Sequence, residues 1–254
     1  MTDKLCMLGV AIDNLDSNEV LSYIDACIKY KKKSIVSNVN VNAMNIAYTD
    51  PRFKCFLNQC DLNFCDGAGV ILAARIIGKK IVERITYAEW FWRLAEFAEK
   101  NQYTIYFLGA GPGVAFEAAE KTKKKFPRIK ILGVHSGYFD KNPDSLENKI
   151  VVDQINQVEP HILILGMGMP TQEYWIAENW ANLEVTVTLT GGAVFDYVSG
   201  YLRRPPRWMT DNGFEWFGRL IIEPRRLWKR YVIGNPLFFL RIFVHHILNF
   251  PLPN

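Results

Sequence analysis

The chain has 254 residues, 49% of them hydrophobic, which is enough to bury a sizeable core and too apolar for a disordered protein. The formal net charge is only +4, yet residues 201–254 hold nine Lys/Arg against three Asp/Glu, leaving 21 basic and 23 acidic residues for the rest. The tail is therefore a basic segment on a near-neutral body, and it carries Trp208, Trp216 and Trp228.

The start, "MTDKLCMLGVAIDNL", lacks the basic residues and sustained apolar run of a secretory signal, so a cytoplasmic protein is expected. Cys6, Cys27, Cys55, Cys60 and Cys65 are odd in number and form no Cys-x-x-Cys pair, and they read as buried free thiols. A first helix is expected near Asp16 or Ser17, where "DSNE" resembles a capping box, running to Lys31–Lys33. Five β-rich runs then end in turns, most of them glycine-containing, and lead into helical patterns: "KSIVSNVNVNAMNIAY", "DLNFCDGAGVILAAR", "TIYFLGAGPGVAFEAAEKTKKKFP", "HILILGMGMPTQEYWIAENW" and "VTVTLTGGAVFDYV". Runs this apolar on both faces suit an α/β fold with a parallel sheet, whose ligands bind at the carboxyl ends of the strands. After Gly200 the texture changes, and Pro205, Pro206, Pro224 and Pro236 divide the tail into short helices. The stretch "YVIGNPLFFLRIFVHHILNF" is interrupted too often to span a bilayer.

Neither "GAGVIL" nor "GAGPGV" meets the GxGxxG dinucleotide fingerprint, and no P-loop signature occurs. The backbone NH groups of Gly109, Gly111 and Gly113, opening a helix, still suit a phosphate-bearing nucleotide. Asp66 reads two ways, as a helix-capping turn residue or as a strand-end general base that takes a proton from a sugar hydroxyl. Asn38, Asn40 and Asn42 recur at period two and read as a sugar-hydroxyl face if the strand continues, or as a turn if it does not. Arg84 is a candidate ligand or merely a partner for neighbouring Glu83. No Asp-x-Asp pair and no metal-ligand spacing appears, so neither a metal nor another cofactor is expected, and a leaving diphosphate falls to protein cations. Arg219, Arg225, Arg226, Lys229 and Arg230 are the candidates. If residues 213–233 form one helix, Arg219, Arg226 and Arg230 share a face beside Phe217, Leu220 and Leu227. Tryptophan and aliphatics interleaved with these cations suit an anionic membrane surface better than a nucleic acid.

Seven stretches in order, "NVNVNAMNIAYTDP", "CDGAGVILAARIIGKKIVERITY", "YFLGAGPGVAFEAA", "FPRIKILGVHSGYF", "ILGMGMPTQEYWI", "GGAVFDYVSGYLRRPPRW" and "GFEWFGRLIIEPRRLWKR", resemble the WecG/TagA/CpsF family of bacterial glycosyltransferases over nearly the whole chain. The resemblance implies a Rossmann-like α/β core over residues 1–200 and a helical, membrane-associating appendage over 201–254. It implies a metal-independent, inverting transfer of an N-acetylmannosamine-like or glucose-like sugar from a UDP-sugar to a polyprenyl-diphosphate-linked saccharide at the inner membrane face. Teichoic acid, enterobacterial common antigen, capsule and exopolysaccharide assembly are the settings in which family members act. UDP-glucose or a uronic-acid sugar is the alternative donor, a non-catalytic nucleotide-sugar-binding module the alternative function, and self-association into a homo-oligomer is left open.

Carried over by motif, Asp66 resembles the proposed general base, Asn38 falls where a family member has threonine near the sugar, and Arg84 matches the arginine after the glycine-lysine turn; Asn40, from the asparagine face, is a further substrate-binding candidate. Gln172 of "PTQE" falls in the nucleotide-sugar pocket, and Arg219, Arg226, Lys229 and Arg230 fall at the diphosphate. The chain departs from the pattern at Asn38 (threonine in a family member), at Lys229 (arginine expected, with Arg230 the candidate substitute) and at Pro205 (alanine expected).

Overall fold

The computed structural model describes residues 3–211, 213–248 and 251–252. An antiparallel hairpin of β1 (Lys4–Met7) and β2 (Val10–Asp13) precedes α1 (Ser17–Lys29). Next come β3 (Ser34–Val39), α2 (Val41–Thr49), α3 (Pro51–Gln59), β4 (Leu62–Cys65), α4 (Ala68–Ile76) and α5 (Tyr87–Lys100). The chain continues through β5 (Thr104–Gly109), α6 (Val114–Lys125), β6 (Lys130–His135), α7 (Leu146–Val158), β7 (Ile162–Gly166), α8 (Thr171–Asn179), β8 (Val187–Thr190) and α9 (Val194–Ser199). The tail forms α10 (Arg207–Asp211), α11 (Glu215–Ile222) and α12 (Pro224–Trp228), a π-helical turn (Lys229–Ile233), α13 (Gly234–Ile242) and a second such turn (Phe243–Ile247).

The larger sheet is parallel, six-stranded and ordered β4-β3-β8-β7-β5-β6, so the expected α/β architecture and the helical C-terminal region are both present. The strands β3, β4, β7 and β8 are buried along their whole length, which explains why they read as continuous apolar runs rather than alternating ones. In contrast, β6 at the sheet's edge mixes exposed and half-buried residues.

The chain divides into two compact units, each with its own core. One comprises Ser17–Ser37 and Thr86–Leu202, where Phe91, Phe107, Leu163, Trp175 and Phe195 are buried. The other comprises Met1–Asp16, Asn38–Ile85 and Arg203–Asn254, where Met7, Ile12, Phe53, Phe64 and Phe238 are buried. In this second unit the last helices pack onto α2. Arg241 donates to the Asn45 side chain at 2.7 Å and lies 4.0 Å over the Tyr48 ring, while the Tyr48 hydroxyl meets His245 Nε2 at 2.7 Å. All five cysteines are free, but only Cys27, Cys60 and Cys65 are buried; Cys6 and Cys55 are exposed.

The tail does not form a single helix over 213–233. Pro224 has no NH to continue α11, and Glu223 leaves the helical region with φ −130° and ψ 60°, so the chain breaks there and restarts as α12. The seven-and-four spacing of Arg219, Arg226 and Arg230 therefore does not place all three on one face.

Candidate active site

Within the unit that contains both β4 and the tail lies a cavity of about 1000 Å3. Its floor is built where the ends of β3 and β4 meet. The extended β3 stops at Val39, whose carbonyl accepts the Asp66 NH at 3.0 Å, and the residue after β4 is thereby held beside the start of α2. Asn40 caps α2, its side chain accepting from the NH groups of Asn42 (3.0 Å) and Ala43 (3.2 Å). The turn reading of the asparagine repeat therefore holds for Asn40. Gly67 permits the approach, since a Cβ there would come within 2.9 Å of the Asn40 backbone. Gly67, not Asp66, caps α4, so the Asp66 side chain lines the cavity instead of closing a helix.

Three arginines come to this floor from different elements. The Ile85 NH bonds to the Cys65 carbonyl at 2.8 Å, which ties the Arg84 segment to the end of β4. Arg84 itself donates to the Thr210 carbonyl at 2.9 Å and lies 4.0 Å from the Glu215 carboxylate. Arg219 follows Glu215 by one turn on α11, and Arg230 enters from the π-helical turn after α12. The Arg230 Nε–H is buried and, among the described residues, has no hydrogen-bond partner. Burial lowers the pKa of its guanidinium, and the like charge of Arg219 acts in the same direction. Burial and the Glu215 carboxylate push the Asp66 carboxyl up to about 6, against the opposing pull of Arg219, Arg84 and Arg230. A carboxylate so placed is a competent proton acceptor near neutral pH. The arginines around it supply fixed positive charge for an anion.

Asn40, Asp66, Arg84, Arg219 and Arg230 thus share the cavity. Asn38 is buried in β3 and is not among its lining residues. Arg226 is exposed and pairs with Glu223 at 2.5 Å, and Lys229 lies 5.7 Å over the Trp228 ring; neither lines the cavity. The cavity also takes in residues that sequence reasoning did not single out, notably Arg75, Glu215 and Tyr231, and it includes Trp216 of the basic tail. The i, i+4 spacing of Glu215 and Arg219 was the available signal for the acid.

The remaining candidates belong to the other unit. Gly109 ends β5 with φ +149°, where a Cβ would collide with the backbone of Gly166, and the Ala110 NH bonds to the Gly166 carbonyl at 2.7 Å. Gly111 and Gly113 complete this turn, and Gly113 caps α6 with no side chain over the first NH groups. Gln172 is fully buried: its side-chain oxygen accepts from the NH groups of Gly168 (3.2 Å) and Gly192 (3.1 Å), and its amide donates to Glu173 at 2.8 Å. It braces the turns that follow β7 and β8. Burial pushes the Glu173 carboxyl up to about 7, opposed by the bond from Gln172.

The sequence profile of the Glycosyl transferase WecG/TagA/CpsF family matches residues 5–250. Three similar proteins bear the name N-acetylglucosaminyldiphosphoundecaprenol N-acetyl-beta-D-mannosaminyltransferase. The one from Bacillus subtilis (strain 168) is 30% identical, over 89% of this chain and 87% of its own. That of Bacillus spizizenii is 27% identical over 92% and 89%, and that of Staphylococcus aureus (strain NCTC 8325 / PS 47) is 27% identical over 95% and 92%.

Proposed function

The chain belongs to the glycosyl transferase WecG/TagA/CpsF family, and from that premise we propose that it moves an N-acetylmannosamine-like sugar from a UDP-sugar to a saccharide on a polyprenyl diphosphate, with inversion. The observation that carries this reading is the Asp66 carboxylate, raised to about 6 in a cavity walled by Arg84, Arg219 and Arg230. Asp66 takes the proton of the acceptor hydroxyl as its oxygen attacks the anomeric carbon from the face opposite the nucleotide. The bond to UDP breaks in the same displacement, so configuration inverts. Arginine stabilises the charge that develops on the departing diphosphate. Among the described residues no group of three His, Cys, Asp or Glu side chains is close enough to hold a metal ion, and arginines are the cations that line the cavity.

The names of the relatives support a lipid-diphosphate acceptor carrying N-acetylglucosamine. The turn at Gly109–Gly113 is the proposed seat of the nucleotide, bound through backbone NH groups, and Gln172 holds the neighbouring turns at Gly168 and Gly192 in place. No helix of the described residues is long and apolar enough to cross a membrane. The tail nevertheless exposes Ile221, Trp228, Val232, Leu240 and Phe243 among its cations, the composition of a segment that rests on an anionic bilayer. Its proposed place is the inner face of the cell membrane.

The test uses the full chain with a panel of UDP-sugars and a short-chain prenyl-diphosphate acceptor, reading UDP release and the anomeric configuration of the product. UDP-N-acetylmannosamine should be the best donor. The group with a pKa of about 6 must be ionised to act, so kcat/KM should be flat above pH 7 and fall about tenfold per unit well below pH 6. Binding of UDP-sugars without release of UDP would replace the enzyme by a binding module, and a retained anomeric configuration would remove the single displacement.

A further inference from the structure

One cationic residue of the cavity has no task in this mechanism. The helix α4 presents Ala68, Ile71, Leu72 and Arg75 to the cavity, the i, i+3, i+4 and i+7 positions of one face. Because α4 starts two residues after Asp66, this face leads away from the carboxylate, and Arg75 stands two turns, about 10 Å, along the axis from Ala68. Between the two charges the wall is apolar. Ile71, Leu72 and Phe239 of α13 line it, the Phe239 ring tip 4.0 Å from where a Cβ on Gly69 would sit. Arg75 differs from its counterparts at the floor: Arg84 is held by Thr210 and Arg230 is buried, whereas Arg75 is exposed and, among the described residues, its side chain makes no hydrogen bond or ion pair. Leu72 and Ile76 lie beside it at i−3 and i+1, both about half exposed.

We propose that this face of α4 is the acceptor's seat and that Arg75 binds the diphosphate of an isoprenoid-linked saccharide. The order of chemistry along the helix matches the order along such a molecule. A proton acceptor at Asp66 faces the sugar hydroxyl, the apolar faces of Ile71 and Phe239 suit the CH surface of a sugar ring, and Arg75 suits the anomeric phosphates. Leu72 and Ile76 meet the first isoprene units. Two turns of helix correspond to a hexose and the phosphates on its anomeric carbon, whereas a departing nucleotide diphosphate has to lie at the reacting carbon, beside Asp66. The inference rests on the lipid-diphosphate reading above and assigns the residue that recognises that diphosphate.

The test compares Arg75→Gln and Arg75→Lys with the wild-type full chain in two assays. The first is direct binding, with farnesyl diphosphate and UDP as separate probes. The second is transfer to a saccharide on a prenyl diphosphate and to the same saccharide on a phosphate-free alkyl chain. Losing a charge-assisted contact should weaken farnesyl diphosphate binding, and raise KM for the diphosphate acceptor, by about tenfold or more. The loss should fall on KM rather than kcat, leave UDP affinity alone, vanish with the phosphate-free acceptor, and be largely restored by lysine. Unchanged farnesyl diphosphate binding, or an equal loss toward UDP, overturns the assignment. Binding through Arg75 without transfer by the wild type would keep this site and overturn the transferase reading. Normal transfer by Arg75→Gln would do the reverse, and a wild type that neither binds nor transfers would overturn both.

Discussion

The turns "CDGAGV" after β4 and "GAGPGV" after β5 look nearly interchangeable as sequence, yet they are built for different work. At the first, the glycine lets a neighbouring backbone approach, and the residue presented is a side chain, Asp66, surrounded by arginines and one glutamate. At the second, Gly109 and Gly113 both have positive φ, no charged side chain is carried, and what remains is a backbone turn leading into the bare start of α6. A similar glycine spacing thus supports either delivery of a titrating group or exposure of peptide NH groups. The charges around the turn, not its glycines, decide which.

The comparison breaks most readily at the carboxylate. In Asp66→Asn, turnover should fall by about a hundredfold or more, as loss of a general base does, while UDP affinity is kept. The same substitution should stabilise the protein. Because the folded-state pKa of Asp66 is raised, its contribution is favourable below the ordinary carboxylate range and is lost as pH rises through about 6. The variant should therefore melt higher than wild type at pH 8, with the difference disappearing near pH 4. A folded variant with turnover within a few-fold of wild type would strip Asp66 of its role.

The arginines sharpen the contrast at a smaller scale. Arg219→Ala and Arg230→Ala should each cost about tenfold to a hundredfold in transfer, the usual worth of a hydrogen bond to a charged group. That loss should persist with a water-soluble acceptor and no membrane, since stabilising a departing diphosphate needs no lipid. Arg226→Ala, which removes an exposed partner of Glu223, should cost much less under those conditions. Equal losses for all three would return Arg226 to the site.

The mildest effect belongs to the other region. In Gln172→Ala the half-buried NH groups of Gly168 and Gly192 lose their shared acceptor, which should cost about 1 kcal/mol of stability and several-fold in UDP affinity. The pH at which activity falls should not move, because that value belongs to Asp66. Thermal melts, UDP titration and a pH profile on one preparation would check all three parts, and a shifted profile would refute the separation of tasks.

Much of the fold was legible because burial on both faces writes an unmistakable pattern. The runs around "SIVSNV", "TIYFLG", "ILILG" and "VTLT" are continuous apolar or small-residue stretches ending at turns, and all became strands of the sheet. The edge strand "KILGVH" escaped notice because, with one side open, it carries lysine, glycine and histidine among its apolar residues. The hairpin of β1 and β2 is only four residues per strand, too short for a period to register.

The sequence by itself determined the α/β class, the position of Asp66 at a strand end, the basic aromatic tail and the family, since each depends on local pattern or on motifs in order along the chain. The tertiary structure alone decided which charges meet. Arg84, Glu215, Arg219 and Arg230 lie up to 146 positions apart in the sequence and converge only because Thr210 holds Arg84 and a break at Pro224 redirects the helix that carries Arg230. The same break turns Arg226 away, although its spacing matched. A carboxylate's working pKa is set by burial and by charges within a few ångströms, and those neighbours come from segments that no local reading of the chain connects.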